Sequence, residues 1–139
     1  MKRILCLLGI ALAFGVGLGS SPSANAQENL KSGKVISRVD LKGAPGWEAI
    51  LVERILPAGV ESGKHTQGGN EIVYVQSGSV IFEAEGKPAR TVKAGEAFTT
   101  SPGEVHNVKN ASKTEECKAL AYYVAKKGAK LEELSVPAK

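Results

Sequence analysis

The chain has 139 residues, a formal net charge of +4 and only 5% aromatic residues. Its two cysteines, Cys6 and Cys117, are too few for a disulfide framework. The densest basic cluster, at Lys126, Lys127 and Lys130, has no interleaved aromatic side chains on which bases could stack, so no nucleic-acid partner is predicted.

The first residues have the pattern of a secretory signal. Lys2 and Arg3 precede an apolar run at residues 4–18, and residues 24–26 read Ala-Asn-Ala, the small-residue pattern at which signal peptidases cut. The run is shorter than the roughly 18 continuous apolar residues that a membrane-spanning helix needs. We therefore predict a signal peptide at residues 1–26, an exported protein that is periplasmic or secreted, and no membrane attachment after cleavage.

Cleavage would leave residues 27–139, which are 113 residues with a formal charge of +2, because the removed segment carries two basic residues and no acidic one. This length suits one domain with one core. Short runs rich in β-branched and aromatic residues follow, separated by Gly, Pro, Asn and Ser, and none has a sustained helical period. The runs lie at residues 35–41, 47–56, 72–76, 80–84, 90–92, 97–100, 105–108 and 118–125.

Several short strands at this spacing predict an all-β sandwich or barrel. Residues 130–136 alternate polar and apolar side chains, which fits either an added edge strand or a segment that lies over the barrel. Cys117 is in a strand-like run, so we predict a buried, unreactive thiol. The aromatic residues predicted to line the core are Trp47, Tyr74, Phe82, Phe98, Tyr122 and Tyr123.

Four polar residues form a candidate metal site. His65 and Gln67 are two positions apart, so in a strand both side chains point to the same face. Gly68 and Gly69 then interrupt the strand, and a hairpin would bring the Glu71 carboxylate back beside the pair. The second histidine of the chain, His106, lies on a later predicted strand. Two imidazoles, a carboxylate and an amide could thus converge at one point inside a small barrel.

At these residues the sequence resembles the cupin superfamily. The first cupin motif has glycine, five residues, His-x-His, three or four residues, glutamate, six residues and glycine. The second has glycine, five residues, proline, one residue, glycine, two residues, histidine, three residues and asparagine. The matching positions are Gly59, His65, Gln67, Glu71 and Gly78, then Gly95, Ser101, Gly103, His106 and Asn110. Gln67 replaces a histidine and Ser101 replaces the proline.

The resemblance implies a double-stranded β-helix, that is, a jelly-roll barrel, and frequent homodimer formation. It also implies a divalent metal ion, such as Fe, Mn, Ni or Zn, inside the barrel. His65, Glu71 and His106 match metal ligands directly, and Gln67 matches a ligand position with a different residue. The glycines of the motifs are interpreted as turn positions rather than as a phosphate cradle.

Gln67 leaves two forms of the site open. Without an amide ligand, two histidines and one carboxylate remain, which is the set that non-haem Fe(II) oxygenases use. With the amide, the set resembles the Gln, His, Glu, His arrangement of cupin sugar-phosphate isomerases, in which zinc acts as a Lewis acid.

Three functions therefore stay open. The first is a metal-dependent oxygenase or isomerase acting on a small organic molecule, the second is a non-catalytic protein that binds a small ligand, and the third is a structural cupin with a degenerate site. The sequence identifies neither the substrate nor a general acid or base.

Overall fold

The computed structural model describes residues 33–131 and 133–134, so the predicted signal peptide at residues 1–26 lies outside the described residues. All regular structure in the described part is β-strand. The strands are β1 (Lys34–Asp40), β2 (Trp47–Leu56), β3 (His65–Thr66), β4 (Gly69–Ser77), β5 (Ser79–Ala84), β6 (Arg90–Lys93), β7 (Ala97–Thr100), β8 (His106–Asn110), β9 (Cys117–Lys126) and β10 (Glu133–Leu134). Within these ranges no helix is long and apolar enough to cross a membrane.

The strands form two five-stranded antiparallel sheets. The first has the order β1-β2-β9-β4-β7 and the second has the order β10-β3-β8-β5-β6. The chain repeatedly leaves one sheet for the other, as it does from β4 to β5 and from β7 to β8, which is the arrangement of a double-sheet jelly roll. The predicted all-β jelly-roll fold is confirmed, and every predicted run overlaps a strand. The alternating tail contributes β10, a short edge strand beside β3.

The period-two alternation of the sequence decides which side chains enter the core. In β4, Val73 and Val75 are buried between the sheets, whereas Ile72 and Tyr74 face outward. β9 buries every second residue in the same way, and Cys117 is fully buried, as predicted. Burying a valine or phenylalanine side chain completely is worth about 1.5–3 kcal/mol, so these inward rows hold the two sheets together.

Two of the aromatic residues predicted to line the core do not. Phe82, Phe98 and Tyr123 are buried, but Tyr74 and Tyr122 are 46% and 40% exposed. The two tyrosines occupy outward positions of β4 and β9 in the first sheet. The prediction of burial rested on residue type alone. The alternation along each strand places Tyr74 and Tyr122 on the outward face, and this decides their exposure.

The link between β3 and β4 is not the predicted hairpin. β3 ends at Thr66 and pairs with β8 and β10 in the second sheet, whereas β4 starts at Gly69 and pairs with β7 and β9 in the first. The chain therefore crosses from one sheet to the other at Gln67 and Gly68. Glu71 reaches the barrel interior from the sheet that faces the histidines, not from a strand beside them.

Close backbone packing explains the two glycines at this crossing. A Cβ on Gly68 would lie 2.7 Å from the carbonyl oxygen of Lys130, and a Cβ on Gly69 would lie 2.7 Å from the Cβ of Ala125. Real Cβ atoms do not approach other atoms so closely, so any other residue would force the crossing open. The glycines interrupt the strand, as predicted, but they serve a sheet-to-sheet crossing.

Candidate metal centre

The two histidines lie side by side on neighbouring strands of the second sheet. His65 in β3 is the direct register partner of His106 in β8. Both side chains are buried, and their ring centroids are 4.2 Å apart with an angle of 57° between the ring planes. Residues opposite each other on antiparallel strands project to the same face, so the predicted convergence of the two imidazoles follows directly from the strand pairing.

Backbone carbonyls fix the tautomer of both rings. The Nδ1 atoms of His65 and His106 lie 2.9 Å from the carbonyl oxygens of Gly63 and Glu104 respectively. Because a carbonyl oxygen can only accept, Nδ1 must carry the proton in each ring, and a neutral ring then has its lone pair on Nε2. This hydrogen bond to a carbonyl is the usual support for an imidazole that binds a metal through its other nitrogen.

His106 has the environment of a neutral imidazole. Burial lowers the pKa of His106, and the charge of His65 acts in the same direction, whereas the hydrogen bond to Glu104 opposes both. Its Nε2 atom is buried and has no hydrogen-bond partner within the described part of the chain. An unpaired buried acceptor costs about 1–3 kcal/mol, so this atom requires a partner that the described residues do not supply.

Glu71 and Gln67 form a separate hydrogen-bonded group. The Gln67 amide donates from Nε2 to Glu71 Oε2 at 2.6 Å, and the Thr100 hydroxyl donates to Gln67 Oε1 at 2.9 Å. Thr100 Oγ1 is also 3.3 Å from Glu71 Oε2. Glu71 is the register partner of Thr100 in β7 and of Tyr123 in β9, so one row across the first sheet carries all three side chains.

Tyr123 and Arg54 extend this group, and neither was predicted as a site residue; Tyr123 was predicted only to line the core. Arg54 Nη2 donates to the Tyr123 hydroxyl at 2.8 Å, and Tyr123 is the register partner of Glu71. Burial raises the pKa of Tyr123, and the Glu71 carboxylate adds to this, whereas Arg54 opposes it. The group thus places one guanidinium and one carboxylate inside the barrel with a neutral phenol between them.

All four predicted site residues border one interior cavity. The cavity has a volume of about 50 Å³ and is lined by His65, Gln67, Glu71 and His106, together with Arg54 and apolar side chains such as Phe98. At roughly 10–15 Å³ for each water, it holds about three to five water-sized groups. That space accommodates a metal ion with a few water molecules and is smaller than the pockets of typical organic ligands, which measure about 300–1,000 Å³.

The four residues fit a metal ion only in part. The two histidines present the tautomer, the burial and the unpaired Nε2 atom of His106 that suit a transition metal. Glu71 borders the same cavity, but its Oε2 atom accepts the hydrogen bond from Gln67. Within the described residues, no group of three or more His, Cys, Asp and Glu side chains is close enough together to hold a metal ion. The site is thus divided into an imidazole pair and a carboxylate–amide group.

Asn110 and the glycines of the two motifs have structural roles. The Asn110 side chain donates from Nδ2 to the carbonyl oxygens of Leu56, Pro57 and Glu115, and its oxygen accepts from the backbone N–H of Ser112. It therefore fixes the loops at one end of the barrel and does not border the cavity. The glycines predicted to be turn positions have positive φ angles: 70° at Gly59, 76° at Gly78, 87° at Gly95 and 76° at Gly103.

Solved structures with a similar fold include three relatives of low sequence identity. DMSP lyase DddQ from Ruegeria pomeroyi DSS-3 has a TM-score of 0.55 and 22% identity over 69% of this chain and 46% of its own. A cupin-like protein from Thermotoga maritima msb8 has a TM-score of 0.51 and 23% identity over 69% of this chain and 74% of its own. KdgF from Halomonas sp. has a TM-score of 0.51 and 18% identity over 66% of this chain and 88% of its own.

These likenesses show the fold alone, and this chain spans less than half the length of DddQ. No curated protein matches the sequence. Residues 51–123, slightly more than half of the chain, match the family described as Cupin domain, Cupin_2. The matched segment contains both predicted motifs in full, from Gly59 to Asn110. The chain therefore belongs to the cupin superfamily.

Proposed function

We propose that this cupin binds a divalent metal ion through His65 and His106 and uses it to act on a small organic molecule. The observation that carries the proposal is the buried Nε2 atom of His106, which has no partner among the described residues and belongs to a ring packed against His65. A divalent cation would accept this lone pair and remove the cost of burying it. Imidazole ligands suit Zn, Fe and Ni, and a neighbouring carboxylate also suits Mn.

Glu71 and Gln67 are the further ligands in this proposal. Glu71 is the acidic side chain among those that line the cavity, so it is the residue that would offset the charge of the metal. Its carboxylate would complete a set of two histidines and one carboxylate. The Gln67 oxygen would provide a fourth ligand only once it is released from the hydrogen bond that it accepts from Thr100. When bound, the metal would supply either Lewis-acid polarisation of a substrate oxygen or a coordination position for dioxygen.

Other cavity-lining residues would exclude water and orient the substrate. Phe98, Val80 and Val108 line the cavity with apolar surface. Arg54 brings a guanidinium to the same cavity, and the Tyr123 hydroxyl accepts a hydrogen bond from it. An organic substrate would occupy more than the roughly 50 Å³ of this cavity, so part of it would extend through the open side of the cavity.

A non-catalytic binding protein is the second candidate. The hydrogen bond between Gln67 and Glu71 favours it, since it reduces the ligands available to a reactive metal complex. The solved DMSP lyases share only the fold at this level of identity, so lyase chemistry is not part of either proposal. Turnover of a small molecule that depends on metal loading would distinguish the enzyme from the binding protein.

The proposal also includes export and self-association. Removal of residues 1–26 would be visible as a mass difference between the full chain and the protein recovered from a periplasmic extract. A homodimer is supported by the outward apolar residues Ile72, Tyr74 and Tyr122, which lie on adjacent strands of the first sheet. Light scattering coupled to size exclusion would give twice the chain mass if the dimer forms, and the chain mass if it does not.

The experiment that tests the metal proposal is the metal content of residues 27–139, purified without an affinity tag. We expect close to one Fe, Mn, Ni or Zn ion per chain in the parent, and at least a roughly tenfold lower metal affinity in His106→Ala. Tyr122→Phe is the control, because this side chain faces outward. Metal that remains fully bound in His106→Ala would refute the histidine site.

Gln67→His separates the two candidate functions. If the parent holds no metal and Gln67→His takes it up, the glutamine has disabled an otherwise intact site. The metal-dependent enzyme would then be rejected in favour of the binding protein.

A further inference from the structure

The orientation of the Gln67 amide is determined by its two neighbours. A carboxylate without a proton can only accept hydrogen bonds, so the amide end that lies 2.6 Å from Glu71 Oε2 is the nitrogen. The oxygen is then the end that faces Thr100, at 2.9 Å from its hydroxyl. Both polar ends of the Gln67 side chain have partners, and that side chain is only 4% exposed.

Thr100 is the residue that fixes this orientation. A hydroxyl has a single proton to donate, and Thr100 Oγ1 is closer to the Gln67 oxygen than to Glu71 Oε2, at 2.9 Å against 3.3 Å. Thr100 is 3% exposed and is held opposite Glu71 by the register of β7 and β4. The threonine is therefore fixed by the sheet, whereas Gln67 lies in the crossing between sheets, outside any strand.

We propose that Thr100 is a positioning residue that holds Gln67 as a hydrogen-bond donor to Glu71 and so keeps the Gln67 oxygen from binding a metal. Glu71 is at the same time the register partner of Tyr123, whose hydroxyl accepts from Arg54. The inference rests on the proposed function, since it concerns the same metal site. The ion would be held mainly by His65 and His106, and Gln67 would control whether Glu71 joins them.

A double-mutant cycle in metal affinity tests this role. Thr100→Val keeps the shape of the side chain and removes its proton, and Gln67→Leu removes both amide contacts. The affinity for Ni²⁺ is measured by competition with a chromogenic chelator. Because Thr100 acts mainly through Gln67, Thr100→Val should raise the affinity in the parent, by releasing the amide oxygen, and should have a smaller effect in Gln67→Leu, where its remaining acceptor is Glu71 Oε2 at 3.3 Å.

Three further variants complete the measurement. Thr100→Ser keeps the hydroxyl and should restore the parent affinity. Thr99→Val is the matched control, because Thr99 is exposed on the same strand and should leave the affinity unchanged. Gln67→Leu should bind Ni²⁺ at least as tightly as the parent, whereas His106→Ala should lose at least about tenfold. The inference is overturned if Gln67→Leu loses as much affinity as His106→Ala, or if Thr100→Val has the same effect in both backgrounds.

A second readout does not require metal binding. In the presence of a chelator, Thr100→Val should lower the melting temperature of the parent, and should lower that of Gln67→Leu by less, because the nearer acceptor is already gone and only Glu71 Oε2, at 3.3 Å, remains. Equal shifts in the two backgrounds would overturn the inference. If no variant binds Ni²⁺, the proposed function fails, while the melting cycle still decides whether Thr100 acts through Gln67.

Discussion

Replacing Tyr123 by phenylalanine is the most direct test of the buried hydrogen bond between Arg54 and the Tyr123 hydroxyl. The Tyr123 side chain is completely inaccessible to solvent, and its hydroxyl accepts a hydrogen bond from Arg54. Phenylalanine keeps the ring and removes the oxygen, so the Arg54 guanidinium loses this partner. A lost hydrogen bond to a buried charged group costs about 1.5–3 kcal/mol, so we expect a loss of about 2 kcal/mol in the free energy of unfolding.

The measurement is urea denaturation of Tyr123→Phe and Tyr122→Phe, followed by circular dichroism. Tyr122 is the neighbouring residue, is 40% exposed and faces outward, so its variant should stay within about 0.5 kcal/mol of the parent. For a domain of this size, a loss of about 2 kcal/mol lowers the melting temperature by about 8 °C or more. Equal stability of the two variants would refute the hydrogen-bonded group, because both lose the same atom.

Two further predictions concern the backbone and the core. Gly78 and Gly86 have similar positive φ angles, 76° and 74°, but a Cβ on Gly78 would lie 3.2 Å from Cys117, whereas a Cβ on Gly86 has open space. Each alanine variant should cost about 1–2 kcal/mol for the left-handed conformation, and Gly78→Ala should cost more; equal losses in urea denaturation would contradict the close contact. Burial raises the pKa of the Cys117 thiol, so a thiol reagent should modify it in native protein no faster than the chain unfolds, and rapid modification would show that it is accessible.

Most of the fold could be predicted because the sequence shows which side chains of each strand face the core. Alternation of apolar and polar residues in β4 and β9 gives both the strands and their buried faces. The same alternation places Tyr74 and Tyr122 at outward positions, so their exposure could also have been predicted from it. What the sequence could not give is the partner of each strand. The two residues of β3 are too few to carry a pattern, so the crossing at Gln67 was mistaken for part of a hairpin.

The site was predicted in part, and for a similar reason. Motif spacing identified the four residues that border the cavity, but it could not show which of them contact one another. Arg54 was missed although a signal was present: it falls between Val52 and Leu56 in a row whose members all face the core. A charged residue in such a row must have partners inside the barrel. Thr100 and Tyr123 gave no such signal, because both residue types are common in strands.

The crossing also explains why a substitution at residue 67 affects more than one metal ligand. His65 belongs to the second sheet and Glu71 to the first, so the two can share a metal only by spanning the space between the sheets. Gln67 lies in the segment that connects them, and its amide bonds to Glu71 on the sheet opposite the histidines. A histidine at position 67 that binds a metal through one ring nitrogen has only the other nitrogen left for a hydrogen bond, so it could not keep the contacts with both Thr100 and Glu71. The exchange at position 67 therefore alters the availability of the carboxylate as well as the ligand itself.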